Sequence, residues 1–375
     1  MSGHRAALQD WLACAYGGRR QQAARAARAA GDGLLERVAW LGTAGHVLDF
    51  DDTYLPGIAH LSAPTAPAAI ALAAELGATV GDALEAHAVG FEAMGALSRA
   101  HDLYEGGWHP TAVCGAAGAV HAAASLLGLD EERTGAAERL ALLQAGGLRA
   151  GFGSDGKALQ VGLAAAAGVH AARIAAGGAT ITADVVGHAA GFAAAFGPGR
   201  AADGRRAIDE NWIKPWPCCL MSHSAVEAAA CARDALAASA AAIEVAVHPV
   251  ARRAAAYDDV ADGLQAKFSI PYLVAYVALH GEPEPASFDA VDPAARALAR
   301  DRVRVRTDAG LRQAEAVLSV GGEEVARVPA SRGSPERPLS AGDLAAKCRR
   351  LAGDRLDGLL DDPGAPAQTL LDALA

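Results

Sequence analysis

Aromatic side chains are scarce, at 5% of 375 residues, and only three methionines occur. An interior with so few large rings must be filled by small and aliphatic groups, and alanine and glycine dominate long stretches. Alanine-rich segments favour helices that pack closely. A basic excess is also missing. The net charge is −10, and the arginine pairs (Arg19–Arg20, Arg205–Arg206, Arg252–Arg253, Arg349–Arg350) are short and scattered. A nucleic-acid partner, which calls for a basic face, is therefore not expected. Six cysteines occur, at Cys14, Cys114, Cys218, Cys219, Cys231 and Cys348, without any C-x-x-C spacing. Adjacent Cys218 and Cys219 suit neither a shared zinc nor an unstrained disulfide, and free thiols fit a reducing cytoplasm. The N-terminus lacks the apolar core of a signal peptide. The longest uncharged run, Thr111 to Leu129, is mostly Ala and Gly and carries His121. It reads as a core helix rather than a membrane span.

What is present is ample apolar material, 52% of residues, in a chain long enough for two domains. The pattern is helical from Arg5 to Val47, with breaks at Gly17–Gly18 and Gly31–Gly33. Asp49 to Pro67 reads as a loop, Ala68 to Leu76 as an apolar Ala-rich stretch, and Asp82 to Arg99 as a helix with Asp82 as N-cap. After a loop at Glu105 to Pro110, helices are expected over Ala112–Leu127 and Glu131–Leu143. A glycine-rich loop at Gly146–Gly156 precedes another, Leu159–Ala176. Strand signals begin only after the breaks at Pro198–Gly199 and Asp203–Gly204. Ile243–His248 and Arg302–Thr307 alternate, and Ala314–Val320, Gly321–Gly322 and Glu323–Val328 read as a β-hairpin, with helical character between them from Val260 to Leu279. Ser340, with Asp343 three residues on, opens a last helix that can return to the helical body. The expected fold is mainly α: residues 1–211 with 339–375 form a discontinuous helical domain, and residues 212–338 a smaller α+β domain.

Two motifs are decoys. Gly151-Phe-Gly-Ser-Asp-Gly156-Lys157 spells G-x-G-x-x-G and nearly a P-loop. Both motifs need a strand before the glycines, whereas Leu140–Leu143 reads as helix. Ala158 also stands where a P-loop needs Ser or Thr. Asp49, Asp51 and Asp52 suggest a cation site, but without a further ligand set they read as solvated carboxylates at a helix end, and no metal is expected.

The chemistry-bearing residues fall in loops flanking the alanine-rich helices. They are His46, Asp49, Thr53 and His60; His109; Arg149 and Lys157; Lys214 and His223; and Lys267, Ser269 and Tyr272. Brought together, these histidines, lysines and the arginine would form a cationic pocket in an acidic protein, suited to a small molecule bearing carboxylates. Proton transfer beside a carboxylate needs a positioned base and acid, and histidine serves as either. Lysine can neutralise charge as it builds. Two bland readings compete: His46 pairs with Asp49 one helical turn on, and Tyr272 is an ordinary core tyrosine.

His46-Val-Leu-Asp49-Phe-Asp-Asp-Thr53 resembles a signature of the MmgE/PrpD family, which includes dehydratases, decarboxylases and an epimerase acting on small acids. His60-Leu-Ser-Ala-Pro64, Gly107-Trp-His109-Pro-Thr-Ala112, Gly147-Leu-Arg149-Ala-Gly-Phe-Gly153, Lys214-Pro-Trp-Pro-Cys-Cys219, Lys267-Phe-Ser-Ile-Pro-Tyr272 and Arg337-Pro-Leu-Ser340 follow in the same order. The resemblance implies a large helical domain, an α+β lid, a C-terminal helix returning to the body, and a homodimer. It also implies acid–base chemistry without a cofactor, in a cleft between the domains. It places His109 as general base or acid, Lys157 as its partner at the reacting carbon, and Asp49 as an orienting group. His60, Lys214 and Tyr272 would grip substrate carboxylates. Thr53, Arg149 and His223 join them as candidate substrate contacts. The pattern departs at Ala158 and Gln160, where the family has Pro and His, and at Leu220, where it has Arg. His60 sits one residue late, before Leu61 instead of proline. These changes point away from 2-methylcitrate, towards a less charged or differently shaped acid. The implied activity is a dehydratase-like lyase; decarboxylation, epimerisation and non-catalytic binding are the alternatives.

Overall fold

Alanine and glycine set the helix spacing in the larger of two compact units of this computed structural model, which describes residues 2–201 and 203–375. That unit comprises Met1–Ile213 and Ser340–Ala375; the other is Lys214–Leu339. The protein is mainly α-helical. In the larger unit the long helices are Ser2–Gly18, Leu34–His46, Ser62–Leu76, Val80–Ala100, Pro110–Leu127, Glu131–Leu143 and Gly156–Ala176, joined by Ala341–Ala352 from the far end of the chain. Pro110–Leu127 and Gly156–Ala176 are long and apolar enough to span a membrane, yet most of Pro110–Leu127 is buried among its neighbours, as a core helix is.

One crossing decides where the site lies. A Cβ built on Gly162 would stand 2.1 Å from the backbone oxygen of Ala39, and one on Gly42 would stand 2.9 Å from the Cα of Gly162. Only glycines let the helices Leu34–His46 and Gly156–Ala176 approach this closely. The contact sits one turn from His46 at the end of the first helix and just over one turn from Lys157 at the start of the second. The helix Ala341–Ala352 is not the last, since Gln368–Leu374 follows it; it is anchored by buried Lys347, which meets Asp10 at 2.5 Å and donates to the Phe50 carbonyl at 2.7 Å. Phe50 belongs to the turn that carries Asp49 and Asp51.

Several expected boundaries move. The loop expected from Asp49 to Pro67 ends early, because the helix Ser62–Leu76 already contains Pro64 and Pro67. Pro64 lies in the first turn, where a missing N–H costs nothing; Pro67 forgoes one bond. Asp82 is not the N-cap. Thr79 is, and Asp82 closes its capping box. The helix expected from Leu159 begins at Gly156, so Lys157 sits in its first turn. The helix Glu131–Leu143, rather than a strand, precedes the glycine-rich loop. Among the described residues, the expectation of no strand in roughly the first 200 fails at Thr53–Tyr54, which pairs with Asn211–Trp212.

In the smaller unit, Ile243–Val247 lies parallel to Val303–Thr307 and antiparallel to Ala316–Val320, which pairs in turn with Glu323–Val328. Gly321 and Gly322 both take positive φ (60° and 92°), as a two-residue hairpin turn requires. The helical stretch expected over Val260–Leu279 splits into Gly263–Ala266 and Ile270–His280. Ser269 caps the second segment, its hydroxyl accepting from Tyr272 N–H.

Gly162→Ala is expected to lower the unfolding free energy by about 1–3 kcal/mol, because the methyl group drives into backbone. Gly146→Ala, where the added carbon meets nothing within 4 Å, is expected to change it little. Urea denaturation of both variants checks this; equal effects would contradict the tight crossing.

Candidate active site

The helix Leu34–His46 ends on His46, and Asp49 then takes a left-handed backbone (φ 53°) that folds the following residues back beneath the helix end. This turn buries three carboxylates. Asp49 is 3% exposed, and Asp51 and Asp52 are fully buried. The reading of these aspartates as solvated groups at a helix end is therefore wrong: the reversal at Asp49 carries the chain inward instead of out to water. The expected pairing of His46 with Asp49 is also replaced. His46 Nδ1 lies 2.9 Å from Asp51 Oδ2 and His46 Nε2 lies 3.0 Å from Lys157 Nζ.

Lys157 in turn donates to Asp49 Oδ1 at 2.5 Å. The result is a buried chain, Asp51–His46–Lys157–Asp49. On one side stands His60, its Nδ1 3.2 Å from the same Asp51 oxygen and 3.4 Å from Thr53 Oγ1, its Nε2 3.8 Å from Asp49. On the other stands His109, its ring stacked on that of His46 with centroids 5.9 Å apart. Phe152 bridges the two sides: its ring meets His109 edge-on at 4.9 Å and lies 5.5 Å from Lys157 Nζ. His109 caps the helix Pro110–Leu127, and its backbone N–H donates to Gly147 O. Its Nδ1 lies 2.7 Å from the amide nitrogen of Gln160.

Five of the candidate residues (Asp49, Thr53, His60, His109 and Lys157) thus converge. Arg149 lies in the adjoining loop, its guanidinium 3.9 Å from the centre of the Tyr104 ring and donating to the Tyr104 carbonyl. The other three belong to the smaller unit. Lys214 is fully buried there. The Nε2 of His223 stands 3.2 Å from the Cys218 carbonyl, and its ring packs edge-on to Trp216. The Tyr272 hydroxyl accepts from Asp292 N–H at 2.9 Å. Sequence reasoning reads Asp51, the hub of two imidazoles, only as a solvated carboxylate, and Gln160 only as a departure. His46 was seen but given the wrong partner. For Gln160 the available signal is its one-turn spacing from Lys157; for Asp51 no local signal separates a buried hub from an exposed acid.

Burial sets the charges. It pushes His46 down to about 4, more than the Asp51 carboxylate restores, and Lys157 and His60 add to the fall. Burial also holds His109 well below its ordinary value, with help from Lys157, His46 and His60. Burial alone would raise Asp51, but His46 and His60 keep it well below the usual carboxylate range. Asp52 goes the other way, pushed up to about 8 by burial and by Asp51 and Asp10, against bonds from Asn211 and Ser62. The Lys157 charge is matched by Asp49, and Asp51 adds a second carboxylate charge beside His46 and His60.

His46, Asp51 and His60 place donor atoms within 4.8 Å of one another, a spacing a metal could use. Most of these donor atoms already have partners, however. Asp51 Oδ2 faces both Nδ1 atoms and His46 Nε2 faces an ammonium, so a divalent ion would have to displace a cation. The group fits a hydrogen-bonded relay better than a metal cradle.

Imidazoles held neutral by burial lower stability in acid, since the unfolded chain binds protons that the folded one refuses. His46 (about 4) and His87 (about 3), together with His109, all sit below the ordinary histidine value of about 6.5. The contribution of these histidines to stability is therefore complete above about pH 6.5 and falls as pH drops towards 4. Asp52, raised, opposes this with a single proton against three. The urea midpoint is expected to climb from pH 4 to 6.5; a flat or falling midpoint would contradict neutral buried imidazoles.

Comparison with known proteins bears on what this cluster does. The MmgE/PrpD N-terminal domain model matches residues 35–204, and the MmgE/PrpD C-terminal domain model matches residues 216–359. Human cis-aconitate decarboxylase is 34% identical over 163 residues, 41% of this chain and 34% of that protein, so the match spans about a third of the relative's own length.

Proposed function

The chain belongs to the MmgE/PrpD family, and from that premise we propose that it is a lyase acting by acid–base chemistry on a small carboxylic acid, dehydratase-like in its reaction. The observation that carries this reading is the buried chain Asp51–His46–Lys157–Asp49 with an imidazole on either side. Each of the family's reactions begins with charge building beside a carboxylate. Here the Lys157 ammonium is the group that meets that charge and returns a proton, and Asp49 holds it in place. A water-poor surround strengthens that attraction. His60 and His109 are the two imidazoles placed on either side of this chain to act on a bound acid, by proton transfer or by hydrogen bonding. Asp51 holds His60 by its Nδ1, and Nε2, 3.8 Å from Asp49, is the nitrogen left to take a proton.

Elimination of water balances as follows. An imidazole takes the proton from the carbon next to a carboxylate, the C–O bond at the neighbouring carbon breaks, and Lys157 protonates the departing hydroxyl. Arg149 is a proposed carboxylate contact from the same loop system, and Lys214, His223 and Tyr272 are proposed substrate contacts by their place in the family's motifs. The reading extends to a cofactor-independent reaction by a cytoplasmic homodimer. Decarboxylation is the second reading, favoured by the match to cis-aconitate decarboxylase. There a C–C bond to carboxylate breaks, CO2 leaves, and the carbanion takes a proton from Lys157.

Purified protein with a panel of citrate-like hydroxy acids and their unsaturated counterparts tests both. New C=C absorbance marks dehydration and CO2 release marks decarboxylation. Lys157→Met and His60→Gln are expected to lower kcat roughly 10²–10⁴-fold with the helical signal retained. No turnover and no solvent-deuterium exchange across the panel, by a chain that still binds one of these acids, would make it a binding protein instead.

A further inference from the structure

Gln160 is held by two bonds to one residue. Leu148 N–H donates to Gln160 Oε1 at 3.0 Å, and Gln160 Nε2 donates to the Leu148 carbonyl at 3.2 Å. A backbone N–H can only donate and a carbonyl can only accept, so this pair fixes which way the amide faces. The remaining N–H of Gln160 then points at His109 Nδ1, 2.7 Å away. Leu148 cannot drift from His109, because the two segments are laced together. His109 N–H donates to Gly147 O, Arg149 N–H donates to Gly107 O, and Trp108 bridges Leu148. An Nδ1 that accepts from an amide carries no proton of its own. The single proton of a neutral imidazole must then be on Nε2.

We propose that Gln160 is a positioning residue that locks His109 as the Nε2-protonated tautomer, so that His109 serves a bound acid as a neutral hydrogen-bond donor and not as the base. The donor role rests on the lyase reading given above; the tautomer does not. A neutral imidazole that gave up its Nε2 proton would become an imidazolate, and Gln160 has no proton to send to Nδ1 in exchange. His109 therefore keeps its proton and hydrogen-bonds to the substrate oxygen on which negative charge develops, a use that suits a preorganised, buried donor. The base of the elimination is then His60, oriented by Asp51 through the opposite nitrogen. The two catalytic imidazoles, both placed beside His46, are set to opposite tasks by what faces their Nδ1: a carboxylate for His60, an amide N–H for His109.

The test is the tautomer itself, read in the full chain labelled with ¹⁵N-histidine, by long-range ¹H–¹⁵N spectra near pH 7. His109 is assigned by the resonances lost in His109→Gln. The expected spectrum shows His109 Nε2 protonated and Nδ1 bare. In Gln160→Glu the new carboxylate accepts at Nδ1, the proton moves there, and kcat is expected to fall roughly 10²–10⁴-fold with KM changed by less than about threefold. Gln160→Leu, which offers Nδ1 nothing, is expected to show a mixture of tautomers and an intermediate loss. A wild-type His109 protonated on Nδ1 overturns the proposal before any variant is made. A Gln160→Glu chain whose His109 stays protonated on Nε2 overturns the role of Gln160. The expected tautomers together with no turnover of any acid in the panel would leave the lock standing and remove the lyase reading on which the donor role depends.

Discussion

A lysine ammonium withdrawn from water must be met by a carboxylate, and the meeting of Lys157 with Asp49 organises this protein's larger unit. The charge pair is buried, so its attraction is little screened and its loss would leave an uncompensated ion inside the helical body. Everything nearby is arranged to make that burial tolerable. His46 is neutral and lends Lys157 a lone pair. Asp51 takes the proton side of His46 and of His60. Asp52, next in the chain, is pushed up to about 8 and so gives up its charge at neutral pH instead of adding a third. A run of aspartates behaves as three different chemical groups because each faces different neighbours.

The scaffold explains why these groups meet. Gly42 and Gly162 bring two helices into backbone contact, and the site forms where one helix ends and the other begins. The left-handed turn at Asp49 then directs the next residues into the interior, and Lys347 ties the same turn, through the Phe50 carbonyl, to the helix Ala341–Ala352. Close packing by glycine and alanine is thus more than filler for a chain short of aromatics: it sets the distance between two helix ends across which Lys157 reaches His46 and Asp49.

Much of this was legible in the sequence. Helix cores such as Glu131–Leu143, the hairpin around Gly321–Gly322 and the Ser340–Asp343 capping box follow from local rules, because in each case neighbours in sequence are the partners in space. The mainly helical character follows from composition. What escaped is what depends on contacts between remote segments. Nothing local distinguishes Asp51 as a buried hub from an exposed acid at a helix end. The bond from Gln160 to His109 joins residues 51 apart, and the lacing of the loop at 147–149 to that at 107–109 gives no periodic signal. Pro64 and Pro67 misled for a related reason: both suggest a loop, yet the first falls where a helix has no bond to lose and the second is carried by packing around Gly42.

The account stands or falls on the charge state within that chain of hydrogen bonds, and His46 reports it, being in contact with both Asp51 and Lys157. A pH titration of the His46 ring by ¹⁵N NMR, from pH 5.5 to 8, is the most direct measurement. The account predicts a ring that stays neutral throughout, with its proton on Nδ1 and Nε2 bare towards the lysine. A His46 that titrates with an ordinary midpoint near 6.5, or that carries its proton on Nε2, would contradict it, since Lys157 could not then be the charged donor on which the site is built.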